Sequence, residues 1–296
     1  MKSSRNKTLE ITQEDRNKYL QQIETDYKIN SVIQSDALTT LGQISDNSID
    51  LIFTDPPYNL SKVYSQEEFK KQDLMSYLEW ANEWLKEAKR VLKESGSIYI
   101  CNDWRASALQ IILQKHFFVQ NRITFEREKG RGSKSNWKNS HEDIWFCTKS
   151  KDYYFDVESV KVKKKVIAPY KENGKPKDWK EENGDKYRLT HPSNFWADIT
   201  IPFWSMPENT DHPTQKSEKL VAKAILASSK ENDIVLDMFG GSGTTAVVAK
   251  KLNRRFIITD PQEEYCLYTL KRLDRAETEK RIQGYEDGIF WDRNSK

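Results

Sequence analysis

Two strand–helix–strand units constrain this chain to an α/β fold. In the first, the apolar strand at 48–55 is followed by an amphipathic helix at 73–92 and a second apolar strand at 97–103. The second unit occupies residues 233–260 and repeats the order of strand, helix and strand. Strands joined by a helix in this way lie parallel. We therefore predict a doubly wound, mostly parallel sheet.

Bulk features indicate a globular chain without membrane segments. The 296 residues include nine Trp, thirteen Tyr and twelve Phe, enough for an aromatic core. No eighteen apolar residues run together and the N-terminal region has no apolar centre. We predict neither signal peptide nor transmembrane helix, and expect a cytoplasmic location with no membrane partner. Cys101, Cys147 and Cys266 form no Cys-x-x-Cys pair, which favours reduced structural thiols and no metal site.

Changes in composition divide the chain. Residues 1–28 are predicted to be a leader containing a helix with Thr12 as its N-cap. Residues 129–198, punctuated by Gly, Ser, Asn and Pro, are predicted to be an insertion or small subdomain. Residues 129–188 carry 16 Lys and Arg against 10 Asp and Glu, whereas the whole chain has a net charge of only +3. The middle is therefore the basic part.

A glycine loop joins the strand at 233–237 to the next helix. Gly240, Gly241 and Gly243 there would let the backbone and the helix N-terminus approach a ligand closely. Asp260 ends the following strand, where a carboxylate can accept both hydroxyls of a ribose. The loop predicts an adenosine-containing cofactor and leaves a dinucleotide and S-adenosylmethionine open. No P-loop lysine follows it, which disfavours ATP hydrolysis.

The sequence TDPPYN at 54–59 ends the other apolar strand. Pro56 and Pro57 remove two backbone donors, so the chain leaves the sheet as a stiff loop at the strand's carboxyl end. Asp55 and the Pro56 carbonyl can accept hydrogen bonds from an exocyclic amino group, and Tyr58 can stack on its base. These contacts direct the nitrogen lone pair toward a methyl sulfonium without metal or covalent intermediate. A base within a duplex would have to be flipped out.

Together these motifs resemble the amino-DNA methyltransferases that use S-adenosylmethionine, in the circularly permuted β arrangement. The chain has the order of that group: TDPPYN at 54–59, the basic insertion, HPTQK at 212–216 and VLDMFGGSGTT at 235–245. The resemblance covers about 32–268. It implies a Rossmann-like methyltransferase fold, S-adenosylmethionine as cofactor with S-adenosylhomocysteine as product, and double-stranded DNA as partner. A homodimer and a cognate restriction endonuclease are further partners that the resemblance allows.

The resemblance also implies a division into functional regions. A leader at 1–28 precedes a catalytic half at 29–128, a target-recognition insert at 129–198 and a cofactor-binding half at 199–296. Glu142 looks like part of the strand that leads toward the recognition elements.

Matched position by position, the resemblance assigns site residues. The target base would be held by Asp55, Pro56, Pro57 and Tyr58. The cofactor would be held by Asp36, Ala37, Asp55, Thr214, Gln215, Lys216, Asp237, Phe239, Gly241, Ser242, Gly243, Thr244 and Asp260. Within this set, Asp36 and Ala37 correspond to the segment that contacts the cofactor's adenine, and residues 214–216 to the segment that closes over its methionine end. The chain departs from the pattern at Ser217, where Pro is usual, and at Asp260, where Glu is commoner.

Cations and aromatic residues alternate in the basic insertion. Lys and Arg would meet phosphates, and Arg, Ser and Asn can read base edges. A charge run is equally typical of a solvated face, but the position between the two halves favours DNA. Arg131, Lys134 and Lys138 are the predicted DNA contacts.

The leading interpretation is a site-specific DNA adenine N6-methyltransferase of a restriction–modification system. Cytosine N4 methylation is the alternative, although relatives that act on cytosine more often carry serine where this chain has Asp55. RNA or protein-amide methylation fits less well with a long basic insert. A non-catalytic nucleic-acid-binding module would not require Asp55 and Asp260, and a nicotinamide-dependent oxidoreductase leaves Asp-Pro-Pro-Tyr unexplained.

Overall fold

The structure is a computed structural model that describes residues 5–64, 67–127, 134–167, 169–182 and 184–293. Its α-helices are α1 Gln13–Tyr19, α2 Ala37–Gln43, α3 Leu74–Val91, α4 Leu109–His116, α5 Glu218–Ser228, α6 Thr244–Lys251 and α7 Glu263–Arg275. Short 3-10 helices lie at η1 Leu20–Gln22, η2 Trp104–Ala106 and η3 Glu158–Val160.

The strands of the described residues are β1 Ser31–Gln34, β2 Ile49–Thr54, β3 Lys62–Tyr64, β4 Glu67–Phe69, β5 Leu92–Asn102, β6 Phe118–Glu126, β7 His141–Thr148, β8 Val162–Lys165, β9 Lys171–Glu172, β10 Lys175–Pro176, β11 Lys180–Glu182, β12 Asp185–Thr190, β13 Phe195–Trp196, β14 Ile234–Asp237, β15 Arg255–Asp260, β16 Tyr285–Glu286 and β17 Ile289–Trp291.

One eight-stranded sheet organises the molecule, in the order β1, β15, β14, β2, β5, β7, β6 and β13. The first five strands are parallel to one another. β7 runs antiparallel to both of its neighbours, and β13 is parallel to β6. The expected α/β fold with a doubly wound, mostly parallel sheet is confirmed.

Helices cover both faces of this sheet. α2, α3 and α4 pack on one face around side chains such as Leu41 and Leu85, and α5, α6 and α7 pack on the other around Val221 and Val247. A strand covered on both faces has no polar side to present to water. This explains the unbroken apolar run in β2, where residues 51–53 are fully buried.

A second, five-stranded sheet has the order β11, β12, β8, β17 and β16. β8, β11 and β12 lie within the predicted insertion, whereas β16 and β17 come from the C-terminal region. β17 pairs in parallel with β8, with Phe290 opposite Val162 and Trp291 opposite Lys163. β7, which also lies within 129–198, is a strand of the large sheet. The division of the chain into functional regions stays a prediction.

The N-terminal helix and cap expected from the sequence are present. The Thr12 hydroxyl accepts a hydrogen bond from the Asp15 backbone N–H at 3.2 Å, and the Asp15 carboxylate accepts from the Thr12 N–H at 2.8 Å. Such a reciprocal capping box satisfies two donors at a helix start. Lys271 Nζ of α7 lies 2.6 Å from the Asp15 carboxylate, and this ion pair connects α1 to α7.

Candidate active site

Five parallel strands end at one cavity, and each supplies an aspartate at or just beyond its last residue. These residues line a cavity of about 510 Å³: Asp36 after β1, Asp55 after β2, Asp103 after β5, Asp237 in β14 and Asp260 in β15. The carboxyl ends of parallel strands lie along one edge of a sheet, where open α/β proteins bind their ligands. The topology therefore gathers acidic groups that are far apart in the sequence.

The predicted base and cofactor residues converge on this cavity, with one exception. Those that line it are Asp36, Ala37, Asp55, Pro56, Pro57, Tyr58, Thr214, Gln215, Lys216, Asp237, Phe239, Gly241, Ser242, Thr244 and Asp260. Gly243 does not line it. What each residue does chemically stays a prediction.

The Asp-Pro-Pro-Tyr loop forms one rim of the cavity and is anchored on two sides. The Thr54 hydroxyl donates to Asp237 Oδ1 at 3.0 Å, which joins the end of β2 to the end of β14. The Tyr77 hydroxyl of α3 donates to the carbonyl of Pro57 at 3.3 Å. Because the two prolines also restrict φ, this rim is held in one conformation.

Beside the rim lies a buried cluster of alternating charges. Lys216 Nζ is 2.5 Å from Asp55 Oδ2 and 3.5 Å from Glu142 Oε2, and it stands 5.5 Å from the centroid of the Tyr58 ring. Arg127 pairs with the other oxygen of Glu142, and the Tyr58 hydroxyl donates to Glu142 Oε2 at 3.4 Å. The cluster joins four separate segments of the chain around the predicted base pocket.

Charges within this cluster shift the pKa values of its members. Burial by itself would lower the pKa of Lys216, but the carboxylates of Asp55 and Glu142 raise it above the ordinary value. Burial raises the pKa of Tyr58 well above its usual range, and the same two acids raise it further. Lys216 is therefore an ammonium and Tyr58 a neutral phenol at physiological pH.

Two glycines shape the loop after β14. Gly241 has φ +50°, and a Cβ there would lie 2.9 Å from His212 Nε2, so the absence of a side chain lets His212 close against the loop. Gly243, the N-cap of α6, has φ +80°, and a Cβ there would lie 2.5 Å from the Thr269 side chain of α7. Gly243 thus faces α7, and Gly241 faces the cavity.

Asp237 and Asp260 both hold this loop. Asp237 accepts from the Thr245 hydroxyl at 2.6 Å and from the Phe239 N–H at 3.1 Å. Burial raises the pKa of Asp237 to about 6. Asp260 accepts from the backbone N–H groups of Gly241 and Gln262, one on each oxygen, both at 2.9 Å. A carboxylate oxygen has two acceptor sites, so Asp260 can also accept from a ligand.

The HPTQK segment closes one side of the cavity. The His212 ring packs edge-on against Tyr265 with centroids 4.5 Å apart, and its Nδ1 accepts from the Thr214 N–H at 3.3 Å. The Gln215 side chain is tied to the preceding loop, since its Oε1 accepts from the Thr210 N–H at 2.9 Å. Ser217, where proline is usual, caps α5 by accepting from the Leu220 N–H. The departure at Ser217 therefore leaves a capped helix start.

Asp36 lines the cavity after β1, the edge strand of the large sheet. Its Oδ1 accepts from the Thr39 N–H at 3.0 Å as the N-cap of α2. Burial opposes ionisation, but the hydrogen bonds from Thr39 lower the pKa of Asp36 below its ordinary value. Asp36 is therefore an anion.

Several lining residues were not predicted from the sequence. Trp80 and Trp84 of α3 pack on Phe239, with ring centroids 5.8 and 5.5 Å apart. Neither is among the site residues predicted from the sequence, although their i, i+4 spacing on the helix that follows the rim places both on one face of it. Asp103 and Arg105 after β5 were also missed, although Asp103 ends its strand as the other four acids do.

The predicted DNA contacts are only partly within the described chain. Arg131 lies outside the described residues. Lys134 and Lys138 are exposed and do not line the cavity, and Trp137 between them is 97% exposed. Their role in DNA binding stays a prediction.

No helix among the described residues is long and apolar enough to cross a membrane. No group of three or more His, Cys, Asp and Glu in the part of the chain that the structure describes could hold a metal ion.

A family comparison matches most of the chain. Residues 49–271 match the family model described as DNA methylase, N6_N4_Mtase. The matched range extends from the first residue of β2 into α7, and so includes both the Asp-Pro-Pro-Tyr loop and the glycine loop.

The alignments with curated relatives span most of this chain and most of each relative. The chain is 36% identical over 247 residues to the type II methyltransferase M.HpaI of Haemophilus parainfluenzae, covering 82% of this chain and 74% of the relative. It is 35% identical over 255 residues to the DNA adenine methyltransferase YhdJ of Escherichia coli, covering 83% of each.

Solved structures share the fold at lower identity. The PvuII cytosine-N4-specific DNA methyltransferase superposes with a TM-score of 0.63 at 20% identity, over 83% of this chain and 87% of that one. The M1.HpyAVI–SAM complex has a TM-score of 0.56 at 22% identity, over 82% and 98%.

Proposed function

Since the chain belongs to the N6_N4_Mtase family of DNA methylases, we propose that it transfers a methyl group from S-adenosylmethionine to the N6 amino group of an adenine flipped out of double-stranded DNA. The chain is a DNA methyltransferase. Adenine as the target base, N6 as the methylated atom and the flipping of the base are what we propose here.

One observation carries the proposal: the Asp-Pro-Pro-Tyr rim and the glycine loop with Asp260 line the same cavity of about 510 Å³. A cavity of this size suits a small-molecule site. A donor bound along the glycine loop and a base held at the rim would therefore occupy neighbouring parts of one space.

The residues present fit S-adenosylmethionine. Gly241 leaves the loop without a side chain where a Cβ would meet His212, and Asp260 keeps acceptor capacity for ribose hydroxyls. Asp36 offers a further anionic carboxylate on the lining of the same cavity. The solved M1.HpyAVI–SAM complex, which shares the fold, supports the same cofactor. The bound cofactor supplies an electrophilic methyl group on a positively charged sulfur.

The rim would act on the amino nitrogen. Asp55 and the Pro56 carbonyl would accept its two N–H groups, which draws the nitrogen toward tetrahedral geometry and frees its lone pair. The neutral Tyr58 ring would stack on the base and fix its plane. The gain comes from orientation and from stabilising positive charge that develops on the nitrogen.

Adenine is favoured over cytosine by two observations. Asp55 occupies the first position of the rim motif, and YhdJ, 35% identical over 83% of both chains, is named a DNA adenine methyltransferase. Cytosine N4 methylation is the second candidate, because the same acceptors would serve either amino group. A cognate restriction endonuclease is suggested by the type II name of M.HpaI. A homodimer and a cytoplasmic location stay predictions.

The test is product identification. The purified protein is incubated with unmethylated DNA and S-adenosylmethionine, the DNA is digested to nucleosides, and the products are identified by chromatography and mass spectrometry. N6-methyladenine is the expected product. N4-methylcytosine would overturn the choice of base and keep the transfer, and an absence of methylated nucleoside would overturn the reaction on DNA.

Asp260→Ala tests the cofactor assignment separately. Loss of a charged hydrogen-bond acceptor costs about 1.5–3 kcal/mol, so we expect the Kd for S-adenosylmethionine, measured by calorimetry, to rise at least about tenfold. High cofactor concentration should restore part of the activity. The matched control is Asp152→Ala, at an exposed aspartate outside the cavity. An unchanged Kd in Asp260→Ala would contradict the ribose role.

A further inference from the structure

Asp55 has two oxygens in unequal surroundings. Oδ2 is 2.5 Å from Lys216 Nζ, whereas Oδ1 is buried and has no hydrogen-bond partner among the described residues. A buried carboxylate oxygen without a donor is costly. The ion pair with Lys216 is therefore a contact that fixes how the Asp55 carboxylate is turned.

Lys216 is itself held in place. Its side chain is only 9% exposed, and its ammonium lies 3.5 Å from Glu142 Oε2 as well as 2.5 Å from Asp55 Oδ2. Glu142 is 3% exposed and is fixed by Arg127 on its other oxygen. Without Glu142 the ammonium would have a single carboxylate partner and more freedom to turn.

Glu142 also reaches the aromatic part of the rim. The Tyr58 hydroxyl donates to the same Oε2 that faces Lys216, at 3.4 Å. One oxygen on β7 therefore restrains both the lysine that orients Asp55 and the ring that would stack on the base. Glu142 lies on β7, which is antiparallel to β5, so it reaches the site from a strand that carries neither the Asp-Pro-Pro-Tyr rim nor the glycine loop.

We propose that Lys216 and Glu142 are positioning residues for methyl transfer: Lys216 binds Asp55 Oδ2 and so fixes the orientation of the carboxylate, and Glu142 holds both Lys216 and the Tyr58 hydroxyl in place. This deepens the proposed function and rests on it. It differs from the resemblance-based expectation, in which Lys216 binds the methionine end of the cofactor.

The matched pair Lys216→Met and Lys216→Arg separates the two roles. Met keeps the volume and removes the charge, whereas Arg restores a cation. A misplacement of about 1 Å in a reacting group costs on the order of 100-fold in rate. We therefore expect Lys216→Met to lower kcat by about 100-fold while the Kd for S-adenosylmethionine and the KM for DNA change less than about threefold, and Lys216→Arg to recover part of kcat.

Glu142→Gln keeps hydrogen bonding and removes the charge, so a smaller loss of about tenfold in kcat is expected. Because Glu142 acts through Lys216, the double variant should be close to Lys216→Met alone, and the two losses should not add. Lys250→Met, at a surface ion pair with Glu277 away from the cavity, is the control and should match wild type.

The outcomes distinguish this proposal from the proposed function. Wild-type protein that methylates no DNA overturns the function, and a crystal structure of Lys216→Met then still tests the positioning, since an Asp55 carboxylate unmoved from its wild-type orientation overturns it. Where wild type is active, a Kd for S-adenosylmethionine that rises in step with the loss of activity, or an unchanged kcat, overturns the positioning role. A retained cofactor Kd with lowered kcat, in a variant whose thermal unfolding midpoint matches wild type, supports it.

Discussion

Three buried lysines between residues 216 and 223 lie in two regions of the molecule that differ in their balance of acids and lysines. Lys216 lies at the cavity between Asp55 and Glu142. Lys219 and Lys223, on α5, share Asp198, with Nζ to carboxylate distances of 2.8 and 2.5 Å. Acids outnumber lysines around Lys216, whereas lysines outnumber acids around Asp198.

The difference in charge count has opposite effects on the two sites. Around Lys216 the carboxylates outweigh burial and raise its pKa. Around Lys223 burial outweighs the attraction of Asp198 and lowers its pKa to about 8. Each Asp198 oxygen lies within 2.8 Å of a lysine ammonium, whereas only Oδ2 of Asp55 has such a neighbour among the described residues.

The closed cluster has a structural position. Lys219 Nζ donates to the backbone carbonyls of Asp198 and Trp291, so it connects α5 to the segment after β13 and to β17. The Lys223 ammonium lies 4.9 Å from the Trp196 ring centroid. This cluster connects the C-terminal strand β17 to α5. We therefore expect its variants to lower the free energy of unfolding and to leave the rate of methyl transfer unchanged.

The largest expected effect is that of Asp55→Ala. Removing the acceptor at the reacting nitrogen should reduce methyl transfer by about 10²–10³-fold, as seen when a single transition-state hydrogen-bond partner is lost. The free energy of unfolding should change little, because Glu142 still compensates Lys216. Single-turnover transfer and denaturant unfolding measure the two quantities. If Asp55→Ala turned over as fast as wild type, the Asp55 region would be no more catalytic than the Asp198 cluster.

Asp198→Asn is expected to have the next largest effect, on stability. The change leaves two buried lysines without their acid, and breaking a buried pair costs about 3–5 kcal/mol in the free energy of unfolding. Denaturant titration measures this loss, and kcat under conditions where the variant is folded should equal that of wild type.

Asp185→Asn is the matched control for this change. It breaks an exposed pair with Lys165, and because solvent screens such a pair, only a small loss in the free energy of unfolding is expected. Equal losses in the free energy of unfolding for Asp198→Asn and Asp185→Asn would show that the buried cluster contributes no more to stability than an exposed ion pair.

Lys223→Met should have the smallest effect, and its signature is a pH dependence. In wild type the folded-state pKa of Lys223, about 8, lies below its ordinary value of 10.5. Between these pH values the unfolded chain keeps a proton that the folded chain has lost, so the Lys223 contribution to the free energy of unfolding rises with pH.

The variant lacks this titration. At pH 7 we expect a change of no more than about 1 kcal/mol, because Lys219 still pairs with Asp198 and Met fills the same volume. The rise in unfolding free energy between pH 8 and 10.5, measured by urea titration at several pH values, should be smaller than in wild type. An identical pH profile would rule out a lowered pKa at Lys223.

The parts of the fold and of the site that could be predicted from the sequence are those determined by residues that lie close together in the chain. The strand endings at Asp55 and Asp260 and the turn at Gly241 each depend on neighbouring residues, so their convergence follows once the parallel sheet is predicted. Gly243 shows the limit of this reasoning. A glycine required by a positive φ and by close packing on Thr269 has the same sequence signature as one that faces a ligand.

Other features depend on contacts between distant residues. The pairing of Lys216 with Asp55 joins residues 161 positions apart, and the parallel pairing of β17 with β8 joins the C-terminal region to the predicted insertion. Neither a lysine in a charged motif nor the short apolar segment at 289–291 indicates its partner. Glu142 was noted only as part of a strand, because its opposition to Lys216 and Tyr58 appears only when β7 is placed in the large sheet.

The parallel pairing of β17 with β8 has a consequence for biosynthesis. Proteins begin to fold from their N-terminal side as the ribosome extends them. β8 lacks its neighbour on one side until residues 289–291 have been made, more than 120 positions later in the chain. During that interval one edge of the small sheet presents unpaired N–H and C=O groups, the kind of edge on which partly made chains associate wrongly.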